Sequence, residues 1–460
     1  MAARARPGLM ALSAGEAARK IVHVGVGGFA LLLRWLSWPQ AALLATAAFL
    51  FNWQLLPRIG GRSLWRSHEH GDGYARGILI YPLSVLGLVL WFRDDLWMAA
   101  VAWTLLSVGD GLAALAGQAF GGPRLPWNPQ KGVIGAGVFV LAAAPAAALV
   151  AAWTLRLPLS AWWSPRILAV VLPVAIACAI VESLDTTLDD NLTVPLAAAA
   201  LLPLLAAADW HGLMADPELP RRLGQGLMLN AAIALLARRA GSIDMPGALS
   251  AIGIGTAITA GSGLAGFALM LAFFVIGSAA TRLGYAIKLA RGIAQERGGA
   301  RGWRNAWANG GVPALLGLLA GAATGERAAL LLSAYAASVA TAAADTCSSE
   351  VGKAYGRRTF MLTTLRPAAP GTEGAVSLEG SLGGLAGAAA VASIGLALGL
   401  YGGTTAALVA AAGLLGSLAE SLIGSVAERR GWLDNDQLNA LNTAIGAGFG
   451  YALCLAFATP

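Results

Sequence analysis

Apolar runs long enough to cross a bilayer recur along this 460-residue chain, and no other feature restricts its fold as much. A helix needs about 20 such residues to cross about 30 Å of hydrocarbon. Backbone groups there find no water to bond with, so each span must satisfy them internally. With 57% hydrophobic and 12% charged residues, a water-soluble fold is excluded. The expected class is all-α: a polytopic transmembrane helical protein of about 15 spans in two related bundles. Seven spans are expected near residues 21–36, 40–56, 77–92, 96–117, 134–154, 167–184 and 193–208. Eight more are expected near 226–237, 247–260, 264–284, 311–323, 328–343, 378–400, 404–424 and 442–458.

Charges inside such runs are costly, about 2.5–3.5 kcal/mol each at mid-bilayer, so those that persist point to function. Asp345 is one, followed by Glu350, Gly352-Lys353-Ala354-Tyr355-Gly356. Asp110 has the same frame, with Gly117-Gln118-Ala119-Phe120-Gly121 behind it. Downstream of each comes a second echo: Glu182-Ser183 before Asp189-Asp190-Asn191, and Glu420-Ser421 before Asp434-Asn435-Asp436. Two motifs in the same order in both halves imply two related modules. Residues 1–208 are expected as one membrane domain, 209–239 as linker and connecting span, and 240–460 as the second domain.

The net charge of +7 is better explained by basic loops than by nucleic-acid binding, since loops facing the cytoplasm are rich in Lys and Arg. With the N-terminus cytoplasmic, most cations of the second half fall inside, among them Arg282, Lys288, Arg297, Arg301, Arg304, Lys353 and Arg429, and only Arg327 falls outside. The first half is weaker: Arg19, Lys20, Arg58, Arg62, Arg66, Arg76, Arg124 and Lys131 fall inside, against Arg34, Arg93, Arg156, Arg166, Arg221 and Arg222 outside. The same topology puts every polar motif on the cytoplasmic face of what is expected to be a bacterial cytoplasmic membrane. No signal peptide is evident. Cys178, Cys347 and Cys454 lie in or beside apolar segments and are expected to pack rather than form a disulfide framework.

At that face the first half collects Arg19, Lys20, His23, Asp110 and Lys131, with Glu182, Asp185 and Asp189 at i, i+3 and i+7, one face of a helix if the helix continues. Carboxylates beside cations suit Mg²⁺ and a polyphosphate: oxygen ligands for the hard cation, Lys and Arg for the remaining charge. The second half collects Arg282, Asn309 in Asn309-Gly310-Gly311, Asp345 and Glu350, and a hydroxyl- and Gly-rich loop. That loop carries Thr363, Thr364, Gly371, Thr372 and Ser377, and could cradle phosphate. Glu350 stands about 140° around a helix from Asp345, so a shared metal requires the helix to break there. His68-Glu69-His70 is a lone metal-like match and is expected to bind nothing. No Walker A or GxGxxG fingerprint occurs.

Residues 16–208 resemble the phytol kinase and dolichol kinase family. The resemblance rests on Arg19-Lys20-x-x-His23, Tyr81-Pro82-Leu83-Ser84, Gly109-Asp110-Gly111, Pro126-Trp127-Asn128-Pro129-x-Lys131, and Glu182 through Asp189-Asp190-Asn191-Leu192-Thr193-Val194-Pro195. Where that family usually reads Lys-Ser-x-x-Gly-Ser, this chain reads Lys131-Gly132-Val133-Ile134-Gly135-Ala136 and lacks both hydroxyls. Residues 240–458 resemble the integral membrane family that includes plant phytyl-phosphate kinase. There the shared residues are Arg282, Asn309-Gly310-Gly311, Ala344-Asp345-Thr346, Ser349-Glu350-x-Gly352, Thr363-Thr364, Pro370-Gly371-Thr372-x-Gly374, Ser377, Gly416-Ser417, Glu420-Ser421 and Asn435-Asp436.

The resemblance implies two consecutive phosphorylations of an isoprenoid alcohol such as phytol, in tocopherol or isoprenoid salvage, with CTP as donor and Mg²⁺ as cofactor. It assigns catalysis to Asp110, Lys131, Glu182, Asp189, Asp190, Asn191, Asp345 and Glu350. Metal binding falls to Asp110, Glu182, Asp345 and Glu350. Substrate and nucleotide would be held by Arg19, Lys20, His23, Arg282, Asn309, Thr363, Thr364, Gly371, Thr372, Ser377, Glu420, Asn435 and Asp436. The partners implied are isoprenoid alcohol, prenyl phosphate and a nucleoside triphosphate, with no nucleic acid. Three alternatives stand beside this reading: a membrane cytidylyltransferase, a protein whose second half alone is catalytic, and a lipid-phosphate transporter.

Overall fold

The computed structural model describes residues 14–59, 65, 74–294, 302–372, 374–428 and 430–457. The His68-Glu69-His70 run and the cations Arg62, Arg66, Arg297, Arg301 and Arg429 lie outside them. Among the described residues, eight helices are long and apolar enough to cross a membrane, and two shorter ones, Arg76–Trp91 and Asp190–Ala206, are apolar. The protein is a polytopic all-α membrane protein; among the described residues eight helices, not fifteen, meet the length of a full span. The first run is α1 (Ala14–Gly27), which gives way to a 3₁₀ turn at Gly28–Arg34. The second is α2 (Trp38–Leu50), only 13 residues before a π turn at Phe51–Leu55. Residues Met245–Arg282 form two helical segments that meet at Gly263, whose non-helical φ of +68° a side chain would strain, in line with the expected runs 247–260 and 264–284.

The chain divides into two units, 1–207 and 208–460. In the first, α1 and α2 are followed by α3 (Arg76–Trp91) and α4 (Leu96–Phe120), the latter containing a π turn at Leu105–Asp110. Strands β1 (Arg124–Leu125) and β2 (Asn128–Gly132) form a short antiparallel hairpin. Then come α5 (Val133–Thr154), α6 (Pro165–Glu182) and α7 (Asp190–Ala206).

In the second unit the stretch expected as a linker forms α8 (Trp210–Ala215) and α9 (Leu219–Arg239). Helix α9 packs along α10 (Met245–Arg282), where a Cβ on Gly226 would stand 3.0 Å from Thr259 Cβ. Next are α11 (Tyr285–Ala290), α12 (Trp303–Gly321) and α13 (Gly325–Tyr355). Strands β3 (Thr359–Met361) and β4 (Ala375–Ser377) pair antiparallel, Thr359 opposite Ser377. Helices α14 (Leu378–Ala397), α15 (Gly403–Ala427) and α16 (Asn435–Phe457) complete the unit.

In each unit the helix bearing the motif's aspartate, buried Asp110 or half-buried Asp345, is the central one. The apolar windows of α4 and α13 are 72% and 78% buried, against 33–44% for the other six spans. Small side chains allow this, as they let helix backbones approach closely in lipid. A Cβ on Gly384 of α14 would lie 3.1 Å from Ala344 O, and one on Gly413 of α15 would lie 3.0 Å from Ala340. Cys178, Cys347 and Cys454 are free and buried.

Candidate functional site

The first unit gathers its charges around Asp110. The π turn ends on Asp110, and the glycines on either side let neighbours close in. A Cβ on Gly109 would strike the Phe139 ring of α5, and one on Gly111 would strike Val24 of α1. The close approach of α1 brings Lys20 Nζ to 2.8 Å from both carboxylate oxygens of Asp110 and His23 Nε2 to 3.4 Å from Oδ2. Behind His23 lies a support that the sequence motifs did not disclose. Trp103 Nε1 donates to Tyr81 Oη at 2.7 Å, and the Tyr81 ring meets His23 edge-on at 4.7 Å.

The hairpin brings the second cation. Trp127 Nε1 donates to Ser183 Oγ at 2.9 Å, and Asn128 Nδ2 reaches Leu184 O at 3.4 Å, which docks the hairpin on the end of α6. Lys131 is thereby paired with Glu182 and stands 3.5 Å from Asp190 Oδ2. Burial works against the Lys131 ammonium, but Asp190, Glu182 and Asp110 outweigh it and hold its pKa above the ordinary lysine value. Oxygens of Asp110, Glu182 and Asp190 all lie within 4.8 Å of one another. Asp110 and Glu182 are about 5% exposed, so their charges require partners.

The expected continuation of the helix through Asp185 and Asp189 is not found. Helix α6 ends at Glu182, and Ser183 caps it. Asp189 caps the start of α7, accepting from Asn191 N at 2.9 Å and Asn191 Nδ2 at 2.7 Å. The carboxylate that joins Asp110 and Glu182 is therefore Asp190, while Asp189 and Asn191 shape the turn that presents it. Asp185 is exposed in the intervening loop, and Arg19 is half-buried beside Lys20.

In the second unit, α13 runs unbroken to Tyr355, so Asp345 and Glu350 face different neighbours. Glu350 is buried against Lys288 of α11, whose Nζ also donates to Thr281 O at 2.7 Å. Asp345 hydrogen-bonds with Glu420 of α15 instead. The structure thus does not bring Asp345 and Glu350 together, and the carboxylate beside Asp345 is Glu420. Two carboxyl groups in such contact share a proton or a cation.

Glu420 opens onto a polar cavity of about 200 Å³. Its wall includes Gly371, Thr372, Ser377 and Asn435, all expected, and also Ser348, Lys353, Ser381 and Glu428, which were not. Ser377 caps α14, accepting from Gly380 N at 3.1 Å. Hydroxyls, a lysine and first-turn amides around one cavity suit a phosphate. Asp436 sits just outside this wall, 2.9 Å from Arg304 Nε. Arg282, Thr363 and Thr364 are exposed and do not line the cavity, and Asn309 lines a different, apolar one. Lys288 escaped sequence reasoning because every cation between Arg282 and Arg304 looks alike there. Lys353 carried a usable signal, lying eight residues after Asp345 on a continuous helix.

Residues 228–447 match the family described as Integral membrane protein DUF92. The chain is 40% identical over 203 residues to the uncharacterized membrane protein sll0875 of Synechocystis sp., covering 44% of this chain and 78% of that protein. It is 41% identical over 213 residues to protein VTE6 of Arabidopsis thaliana, covering 43% of this chain and 63% of that one. It is 32% identical over 201 residues to the phytol kinase of Synechocystis sp., covering 42% of this chain and 80% of that enzyme. No solved structure matches.

Proposed function

From a chain that belongs to the phytol kinase family, with residues 228–447 matching Integral membrane protein DUF92, we propose a bifunctional membrane kinase. The first unit would phosphorylate an isoprenoid alcohol such as phytol. The second would convert the monophosphate to the diphosphate, and CTP would be the donor in both. The single observation that carries this reading is the Asp110–Glu182–Asp190 cluster flanked by Lys20 and Lys131, deep in a lipid-facing bundle.

The lipid supplies the physical logic. A long isoprenoid partitions into the bilayer by about 0.8 kcal/mol per buried CH₂, which leaves its oxygen at the interface. Cytoplasmic nucleotide meets it there. The donor set is all hard oxygen and fits Mg²⁺. Asp110, Glu182 and Asp190 would hold the ion in the first unit, Asp345 and Glu420 in the second. When bound it neutralises phosphate charge. Phosphoryl transfer asks mainly for in-line positioning and charge neutralisation. Lys131 and Lys20 hold the donor phosphates, and a carboxylate of the cluster takes the alcohol proton. In the second unit the acceptor is already an anion, so Lys353, Ser377 and Thr372 serve to shield charge and orient phosphate rather than to remove a proton.

The test is a product assay on the purified full chain with labelled CTP, Mg²⁺ and phytol, farnesol or geranylgeraniol. Prenyl monophosphate and diphosphate with released CDP support the reading. Released pyrophosphate with a CDP-lipid identifies a cytidylyltransferase. No turnover with any prenol or prenyl phosphate leaves the transporter.

A further inference from the structure

The second unit holds another cavity, apolar and separate in character from the polar one. It measures about 130 Å³ and lies between α9, α10 and α12, walled by Ile233, Ile254, Phe267, Met270 and Phe274. Its polar lining is Asn230, whose Nδ2 donates to Gly226 O, with Asn305 and Asn309. Asn305 Oδ1 is buried there with no hydrogen-bond partner, while Asn309 Nδ2 donates to Asn305 O at 3.1 Å. A buried acceptor left unpaired is costly, so a site that keeps one is suited to a ligand carrying a donor.

The neighbouring residue ties the two cavities together. Arg304 pairs with Asp434 and Asp436, which flank Asn435, and Asn435 lines the polar cavity. The first turn of α12 therefore carries Arg304 toward the polar cavity's wall and Asn305 into the apolar one. An occupant with an oxygen head at that turn can place its hydrocarbon among the phenylalanines. The size is also restrictive. Apolar cavities of about 150 Å³ take up a guest such as benzene, so this one holds about one five-carbon unit.

We propose that this cavity receives the isoprene unit of the lipid substrate next to its oxygen head, and so sets the shape of the first isoprene unit that the second unit of the protein accepts. The proposal rests on the reading of that unit as a prenyl-phosphate site. The donor facing Asn305 Oδ1 is the O–H of a phosphate monoester or of a free prenol, and the experiment separates them.

The probe is a geranylgeranyl monophosphate carrying a diazirine in its first isoprene unit, photolysed on the full chain in nanodiscs without nucleotide. Labelling is expected on α10 and α12 around the cavity and is expected to fall about tenfold in Ala251→Phe, which fills the space, a change on the scale of methylene discrimination in an apolar pocket. Unlabelled geranylgeranyl monophosphate competing better than geranylgeraniol assigns the phosphate as head, and the reverse assigns the alcohol. In turnover, Ala251→Phe should raise KM for the prenyl monophosphate about tenfold with the KM for CTP unchanged, and Ile254→Ala, which enlarges the cavity, should admit monophosphates with a bulkier first isoprene unit. Labelling elsewhere, or labelling displaced by phospholipid but by neither isoprenoid, overturns the proposal. Cavity labelling in a protein that turns over no substrate sinks the kinase reading and leaves the binding site standing.

Discussion

Set side by side, the two units repeat one arrangement with the cation moved. Each has a central helix carrying an inward aspartate, Asp110 buried and Asp345 half-buried, then a short hairpin, then three helices. In both, a glutamate near the end of the second of those helices faces the aspartate's neighbourhood, and an aspartate caps the third, Asp189 in one and Asp434 in the other. The charges differ. The first unit sets Lys131 on its hairpin and leaves Gly132 as the cap of α5. In the second, Lys353 lies on the central helix itself, where the first has Gln118, and Ser377 caps the helix after the hairpin. Asp190 has Asn435 as its counterpart. At that paired position the first unit carries a carboxylate and the second an amide, while the wall of the second unit's cavity adds hydroxyls and Glu428. On the proposed reading, the Asp190 carboxylate belongs with an uncharged alcohol whose proton must be taken up, and the hydroxyls with a charged ester.

The strongest way to break this pairing is to remove each aspartate separately. Asp110→Ala is expected to abolish alcohol phosphorylation, about 10²–10³-fold or more, and to leave monophosphate conversion intact, while Asp345→Ala does the reverse. Product analysis from each variant decides it. Loss of both steps in either variant would show that the units do not act as separate sites.

The next largest effect separates support from chemistry in the second unit. The Lys288 side chain is 1% exposed and pairs with Glu350, so Lys288→Ala strands a buried carboxylate and should cost about 3–5 kcal/mol of that unit's stability. Lys353→Ala, at the polar cavity, should lower monophosphate conversion about 10²-fold with the melting temperature unchanged. Thermal unfolding beside turnover distinguishes them.

The first of these lysines, Lys288, also shows where sequence stops being informative. A carboxylate in an apolar run announces itself, so Asp110, Glu182 and Asp345 were legible from the cost of placing them there. The helical class and the order of motifs were legible for the same reason. Which carboxylate meets Asp345 depended on whether α13 continued past it. Gly352 alone does not end a helix supported on several sides, so Glu350 was carried 140° away to Lys288, and Glu420 took the facing position. Likewise, nothing local distinguishes Asp189 from Asp190 until a helix start assigns one to the cap and the other to the cluster. The span count was less legible for a related reason: hydropathy does not register the turns at Gly28–Arg34 and Phe51–Leu55, although it did separate the two runs that meet at Gly263.

A smaller effect sharpens the carboxylate difference. Asp190→Asn makes the first cluster resemble the second, and the Mg²⁺ concentration that half-saturates alcohol phosphorylation should rise about tenfold, as weaker ligand charge lowers affinity. A chelator should stop both steps, and added Mg²⁺ should restore both. If half-saturation is the same in wild type and variant, Asp190 does not hold the ion.

The smallest effect concerns the cap. Gly132 has extended backbone, φ −110° and ψ 150°, and a Cβ there would meet nothing nearer than Pro123 O at 3.7 Å. Serine therefore fits without strain, and its hydroxyl can accept from the first turn of α5 as Ser377 does from Gly380 N in the other unit. Serine in place of a capping glycine is worth only a few tenths of a kcal/mol. Gly132→Ser should thus leave stability within that margin and keep or modestly raise the rate of alcohol phosphorylation, whereas Ser377→Ala should cost about 1 kcal/mol and lower monophosphate conversion several-fold. A Gly132→Ser variant that loses alcohol phosphorylation would mean that the first unit needs the bare backbone there for its donor phosphates. The two helix starts, alike in position, would then bind phosphate by different means.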